Sequence, residues 1–204
     1  MKPALINQVQ TRLPTRHGNF ILHYYSNNLD HKEHVALVKG DVRDQEAVLA
    51  RVHSECFTGD VLGSRRCDCG EQLDQALTMI EQAGCGILLY LRQEGRGIGL
   101  LQKLKAYNLQ DQGMDTVDAN LHLGHRADER DYTLAALILQ DLGVKSIALI
   151  TNNPSKIDSL VAMGIHVTER IAIEPDYHAD NEHYLRAKAS KMRHILNLPD
   201  ADTP

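Results

Sequence analysis

The 204-residue sequence has no tryptophan, two phenylalanines and four cysteines. With so few large rings, branched aliphatic side chains must supply most of a core. Long apolar runs are missing as well. Runs such as Ile87-Leu-Leu-Tyr-Leu91 fall far short of the roughly 20 residues that cross a bilayer. Residues 1–10, MKPALINQVQ, hold no apolar stretch of signal-peptide length. These absences give the expectation of a cytoplasmic protein with no membrane partner. Excess positive charge is lacking too: 22 Lys and Arg meet 27 Asp and Glu, for a net charge of −5. That balance speaks against a nucleic-acid partner, which needs a broad basic surface. It leaves room for a few cations converging on an anionic small molecule. Repeats, low-complexity tracts and interdomain linkers are also absent. The length suits one compact domain over residues 1–204, with 1–10 and 198–204 expected to be flexible.

Periodicity gives the expected elements. Leu13–His23, His34–Val38 and Ala47–Val52 read as strands, with turn signals at Asn27-Asn28 and Gly40-Asp41. Beyond Gly70 the pattern alternates. Leu73, Ala76, Leu77 and Ile80 keep helical spacing up to Gly84, and Ile87–Leu91 reads as a buried strand. Helices are expected over Ile98–Leu109, around Leu134–Leu142, through Ile157–Val161 to Gly164, and over Glu182–Leu196. Ile147–Ile150 and Ile165–Thr168 read as strands. The expected fold is α/β with α+β character at the N-terminus: a mixed β-sheet with helices packed on it, in a single domain.

Three of the four cysteines share one short stretch, Cys56-x10-Cys67-x-Cys69. In a reducing compartment such clusters are more often metal ligands or reactive thiols than disulfides. Three thiolates without an obvious fourth partner suit zinc with an open position. Inert thiols are the plainer alternative, and Cys85 is either a fourth ligand or, as favoured here, a small buried residue. A second stretch, Arg92-Gln-Glu-Gly-Arg-Gly-Ile-Gly-Leu100, joins a strand to a helix. Its glycines are either a turn or a place where backbone amides approach phosphate, with Arg96 adding a forked contact. It is neither a dinucleotide fingerprint nor a Walker loop. In Thr151-Asn-Asn-Pro-Ser-Lys156, capping explains Asn153 and Pro154 but leaves Thr151 and Lys156 to face a ligand crevice. Asp128 reads as a helix N-cap or a proton acceptor, and Arg130 as a contact to an anionic substrate.

Taken in order, these stretches resemble one family. Arg51-Val-His-Ser-Glu-Cys56, Thr58-Gly-Asp60, Arg66-Cys67-Asp-Cys69-Gly70-x-Gln72-Leu73 and Arg92-Gln-Glu-Gly-Arg96-x-Ile98-Gly-Leu100 are similar to the motifs of GTP cyclohydrolase II. So are Ala106-Tyr107-x-Leu-Gln-Asp-x-Gly113, Asp115-Thr-Val117, Asp128-x-Arg130-Asp131 and Leu149-x-Thr151-Asn-Asn-Pro154. The set covers the chain from about Leu13 to Leu196.

The resemblance implies a zinc-dependent hydrolase in the first step of riboflavin synthesis. It would convert GTP to 2,5-diamino-6-ribosylamino-4(3H)-pyrimidinone 5′-phosphate, formate and pyrophosphate, with a zinc-activated water attacking carbon 8. It implies one Zn²⁺ per subunit on Cys56, Cys67 and Cys69, Mg²⁺ with the phosphates, and a homodimer. By the same resemblance Asp128 is the proton acceptor and Tyr107 serves the ring opening. Arg51, Val52, His53, Ser54, Glu55, Gln72, Glu94, Gly95, Arg96, Thr116, Thr151 and Lys156 bind GTP. Arg130 matches the family's proposed nucleophile toward the α-phosphate. A guanidinium is almost always protonated, however, so stabilising the departing pyrophosphate is the rival role. Three thiolates weaken a zinc Lewis acid, so a helping base or hydrogen bond is expected from Glu55, Asp128 or Tyr107. No second domain is evident, and the dihydroxybutanone-phosphate synthase activity fused to some relatives is expected to be absent. Arg170–Tyr177 departs from the family pattern, with consequences expected only for a loop or the dimer contact. The rival function is a nucleotide-binding protein whose zinc is structural and which turns nothing over. A nucleotide-cofactor oxidoreductase lacks its fingerprint.

Overall fold

Strand alternation sets the architecture of the computed structural model, which describes residues 3–199. Seven strands form one sheet: β1 (Leu5–Thr15), β2 (Gly18–Asn27), β3 (His34–Lys39), β4 (Val48–Ser54), β5 (Gly86–Leu91), β6 (Ile147–Ile150) and β7 (Val167–Ile171). Their order is β1-β2-β3-β5-β4-β6-β7. The first four positions pair antiparallel, while β5, β4, β6 and β7 run parallel. The mixed α/β fold with its antiparallel N-terminal portion is therefore as expected.

Both faces are covered. Ile87, Leu89 and Leu91 of β5 join a core with Ala135, Ile138 and Leu139 of α4 (Thr133–Leu142) and Leu160 of α5 (Pro154–Ala162). Leu88 packs on the other face against Ala76, Leu77 and Ile80 of α1 (Cys69–Ala83). Truncating a fully buried residue such as Leu89 to alanine costs about 2–5 kcal/mol. Gly84, at φ 70°, closes α1 in the left-handed conformation. Asn153 Oδ1 accepts the Ser155 N–H at 3.0 Å and Pro154 opens α5, as the capping signals indicate.

Several boundaries differ from expectation for local reasons. Leu13–His23 is two strands, because the Thr15 hydroxyl accepts the N–H groups of His17 and Gly18 and turns the chain. The expected flexible stretch 1–10 is strand from Leu5 onward, laddered to β2 and tied by Asn7 to His23 at 3.0 Å. Within 198–204, residues 200–204 lie outside the described residues. The short helix α3 (Thr116–His122) was not foreseen; Asp115 caps it by accepting from Val117 and Asp118. The helix α2 (Leu100–Gln110) begins after Ile98, since Gly95, Arg96 and Gly97 all have positive φ. The last strand lies later than expected, because the Ile165 N–H is used by the Leu160 carbonyl to end α5. The final helix α6 (Glu182–Met192) stops where Arg193 turns left-handed. Asp128 is not an N-cap: α4 starts five residues later, with the Asp131 carboxylate accepting the Thr133 N–H. No helix among the described residues is long and apolar enough to cross a membrane.

Candidate active site

The parallel strands β4, β5 and β6 end together, and ligand crevices in open α/β sheets form beyond such C-terminal ends. Alternation decides which β4 residues reach the crevice. Val48, Ala50 and Val52 enter the α4 core, so Arg51 and His53 project from the opposite face. Val52 consequently does not line the pocket; only its carbonyl takes part, accepting Lys156 Nζ at 2.6 Å. Arg51 is buried, and burial lowers its pKa. Its Nη1 donates to the Ile150 carbonyl at 3.0 Å and Nη2 to Gln72 Oε1 at 2.5 Å, while Nε has no partner.

The metal ligands expected from spacing converge. Sγ atoms of Cys56, Cys67 and Cys69 lie within 4.8 Å of one another, with Cys56 and Cys67 at 3.6 Å. A π-helical turn at Phe57–Val61 brings Cys56 over the start of α1. Asp60 fixes this turn by accepting the Cys56 N–H at 2.9 Å and the Tyr90 hydroxyl at 2.8 Å. His53 Nε2 lies 3.1 Å from the same carboxylate; burial lowers the His53 pKa against the pull of Asp60. Glycines are required where the turn meets the helix: a Cβ on Gly70 would strike the Gly59 carbonyl, and one on Gly59 would sit 3.0–3.2 Å from atoms of all three cysteines. Hydrogen bonds from Cys67 and Cys69 hold the Cys56 pKa far below the ordinary thiol range, with Lys103 adding to the effect. The Cys56 contact pushes Cys67 up to about 12, and Cys56 and Cys67 raise Cys69 well above the ordinary thiol range. Three thiolates this close repel unless a cation sits among them. Tetrahedral zinc with bonds of about 2.3 Å puts sulfurs about 3.8 Å apart, so the donor set fits. Cys85 is no part of it. It is half-exposed at the other end of β5, donating to the Asp41 carbonyl at 3.4 Å, rather than buried as expected.

The glycine loop makes the opposite wall. Glu94 accepts the Phe57 N–H at 2.5 Å, and its other oxygen accepts the Gly95 N–H and Lys103 Nζ, each at 2.8 Å. Arg96 holds a left-handed φ of 62°, a strained conformation typical of functional sites. Its Nη1 and Nη2 are buried without partners beside the Tyr184 ring. The Arg96 carbonyl accepts the Glu129 N–H at 2.9 Å, docking the 125–131 loop on this turn. Arg130 thereby lines the pocket, whereas Asp128 sits behind it. Arg130 Nε donates to Asp128 Oδ1 at 2.9 Å, and Nη2 bonds the other oxygen. Burial disfavours both charges, yet Tyr132 and then the bond to Asp128 raise the arginine, and the hydrogen bonds from Arg130 lower the carboxylate.

Thr151, Lys156, Ser54, Glu55, Gln72 and Thr116 also line the pocket. Burial, then the charges of Arg51 and Arg130, hold the Lys156 pKa well below its usual value. The Tyr107 hydroxyl lies 3.1 Å from that of Thr58, beside the sulfurs, and burial raises its pKa. Five lining residues were missed in the sequence: Lys103, Asn120, Tyr184, Lys188 and His194. Lys188 Nζ donates at 2.6 Å to Asp68, a fully buried carboxylate that also accepts from Gln72 at 2.7 Å. Burial and the neighbouring cations push His194 down to about 3.

This constellation of three cysteine sulfurs facing unpartnered guanidinium donors has a counterpart in known sequences. The GTP cyclohydrolase II profile matches residues 7–172. The chain belongs to the GTP cyclohydrolase II family. It is 58% identical over 191 residues to the riboflavin biosynthesis protein RibBA of Bacillus mycoides (strain KBAB4), covering 94% of this chain and 48% of the relative. RibBA of Bacillus cereus (strain B4264) is 56% identical over the same coverage. The chain thus spans about half the length of these curated relatives. RibBX from A. baumannii, a two-domain 3,4-dihydroxy-2-butanone 4-phosphate synthase, superposes with a TM-score of 0.47 at 20% identity. The match covers 84% of this chain and 40% of that one, and at that level the likeness carries no argument.

Proposed function

We propose that this chain hydrolyses GTP at three bonds, two at carbon 8 of the guanine and one between the α- and β-phosphates. The products are formate, pyrophosphate and 2,5-diamino-6-ribosylamino-4(3H)-pyrimidinone 5′-phosphate. The observation that carries this reading is the sharing of one pocket by the three-sulfur cluster and by buried, unpartnered N–H donors of Arg51 and Arg96. Buried donors without acceptors are costly and suit an arriving anion.

Cys56, Cys67 and Cys69 would hold Zn²⁺, which when bound supplies a Lewis acid and an activated water at carbon 8. Arg51, Arg96, Arg130 and Lys156 would bind the triphosphate, with Mg²⁺ accompanying it. Arg130 is kept cationic by Asp128, which favours charge stabilisation of the departing pyrophosphate over nucleophilic attack. Tyr107, whose raised pKa keeps its phenol protonated, would deliver a proton to the ring nitrogen released from carbon 8. By the family resemblance Asp128 would be the proton acceptor; its ionised carboxylate reaches the pocket only through Arg130, which it hydrogen-bonds. His53, Ser54, Glu55, Gln72, Thr116 and Thr151 would orient base and ribose. Glu94 and Gly95 act by shaping the loop that carries Arg96. Following the family resemblance, we take the enzyme to work as a cytoplasmic homodimer. Incubation of zinc-loaded protein with GTP and Mg²⁺ should yield formate and pyrophosphate; neither product at full zinc occupancy would defeat the proposal.

A further inference from the structure

Thiolates are strong electron donors, so a metal held by three of them is a weaker Lewis acid than one held by imidazoles. One of the three sulfurs is treated differently by the protein. Cys56 Sγ accepts from Lys103 Nζ at 3.0 Å and from the Gly59 N–H at 3.3 Å, and the Thr58 hydroxyl lies 3.7 Å away. Among the described residues no other ammonium or guanidinium hydrogen-bonds a cysteine sulfur. The ammonium is not there by chance of a floppy side chain. Glu94 Oε1 accepts a second Lys103 N–H at 2.8 Å, and Glu94 is itself pinned by the N–H groups of Phe57 and Gly95. Side-chain exposures of 12% for Lys103 and 9% for Glu94 leave little water to screen the contact.

We propose that Lys103 is a positioning residue that withdraws charge from the Cys56 thiolate and so strengthens the metal as a Lewis acid. Hydrogen bonds to coordinating groups are a general means of tuning a metal. The inference rests on the metal-dependent hydrolysis proposed above. It also answers the need for a helping hydrogen bond created by the three-thiolate set. The competing role is a direct contact of the third Lys103 N–H with substrate, which would act on binding instead.

Cobalt(II) substituted for zinc reports the sulfur electronics directly, through the sulfur-to-cobalt charge-transfer band. In Lys103→Met and Lys103→Gln this band should move to longer wavelength, because the Cys56 lone pairs lose the ammonium: Met offers no donor and Gln only a neutral one. The ligand-field bands of four-coordinate cobalt should keep their intensity, and Lys103→Arg should restore the wild-type spectrum. In the zinc forms kcat should fall by about tenfold or more, with KM for GTP little changed. A charge-transfer band identical to wild type in both neutral variants at full occupancy would overturn the proposal. So would a raised KM with kcat intact. Should Lys103→Met not fold, Lys103→Gln carries the same comparison with a polar side chain of similar reach. If the wild-type protein releases no formate, the functional reading fails, while the cobalt spectra still decide the Lys103–Cys56 interaction.

Discussion

Gly59→Ala is the sharpest small change the site offers. A Cβ at this position would stand 3.0 Å from Cys67 Sγ, 3.1 Å from Cys56 Sγ and 3.2 Å from Cys69 Cβ. Even carbon atoms prefer about 3.5–4.0 Å, and sulfur is larger, so each neighbour must retreat by a few tenths of an ångström. Metal–ligand distances tolerate only about ±0.2 Å. The variant should therefore bind zinc about 10–100-fold more weakly, or about 1.4–2.8 kcal/mol. Competition against a chromophoric chelator measures this. Gly63→Ala is the control. It lies in the same loop with nothing within 4 Å of its Cβ, but at φ +65°. It should lose about 1 kcal/mol of stability and keep its zinc. Wild-type zinc affinity in Gly59→Ala would refute the reasoning that this glycine is the floor of the metal site.

Lys188→Met strips the buried Asp68 carboxylate of its ammonium and should destabilise by about 3–5 kcal/mol in urea unfolding, with Asp68→Asn in the same chain recovering much of it. A loss under about 1 kcal/mol would contradict the pairing. Lys156 has a lowered pKa, so the folded chain binds fewer protons there than the unfolded chain. Stability of the ligand-free protein should therefore rise with pH from that lowered pKa up to about 10.4. Urea midpoints across this window should show the rise in wild type, and Lys156→Met should lack it. Cys85→Ser should retain zinc while Cys69→Ser loses it; equal losses by metal analysis would mean four cysteines hold the ion.

What the sequence revealed depended on distance along the chain. The apolar run Ile87–Leu91, the Asn153-Pro154 cap and the Cys-x10-Cys-x-Cys spacing are short-range signals, and each led to an element or cluster that forms. Period-two logic would also have removed Val52 from the pocket, since its neighbours Arg51 and His53 are the crevice-facing pair. Asp128 misled because an acid before a helix usually caps it. Here Arg130 captures the carboxylate two residues away, and Asp131 accepts the first N–H of α4 instead. Lys103 carried no motif. Its role exists only because α2 sets it between Glu94 and Cys56. Lys188 was beyond local reading altogether, meeting Asp68 across 120 residues when α6 folds over the three-cysteine loop.

If the proposed function holds, the sulfur cluster and the guanidinium wall act on one GTP molecule. GTP labelled with ¹³C at carbon 8, incubated with zinc-loaded protein and Mg²⁺ and followed by NMR, tests it most directly. The label should leave the guanine and appear as formate, in step with pyrophosphate. Label that stays in an intact guanine ring, with zinc and GTP both bound, would contradict it.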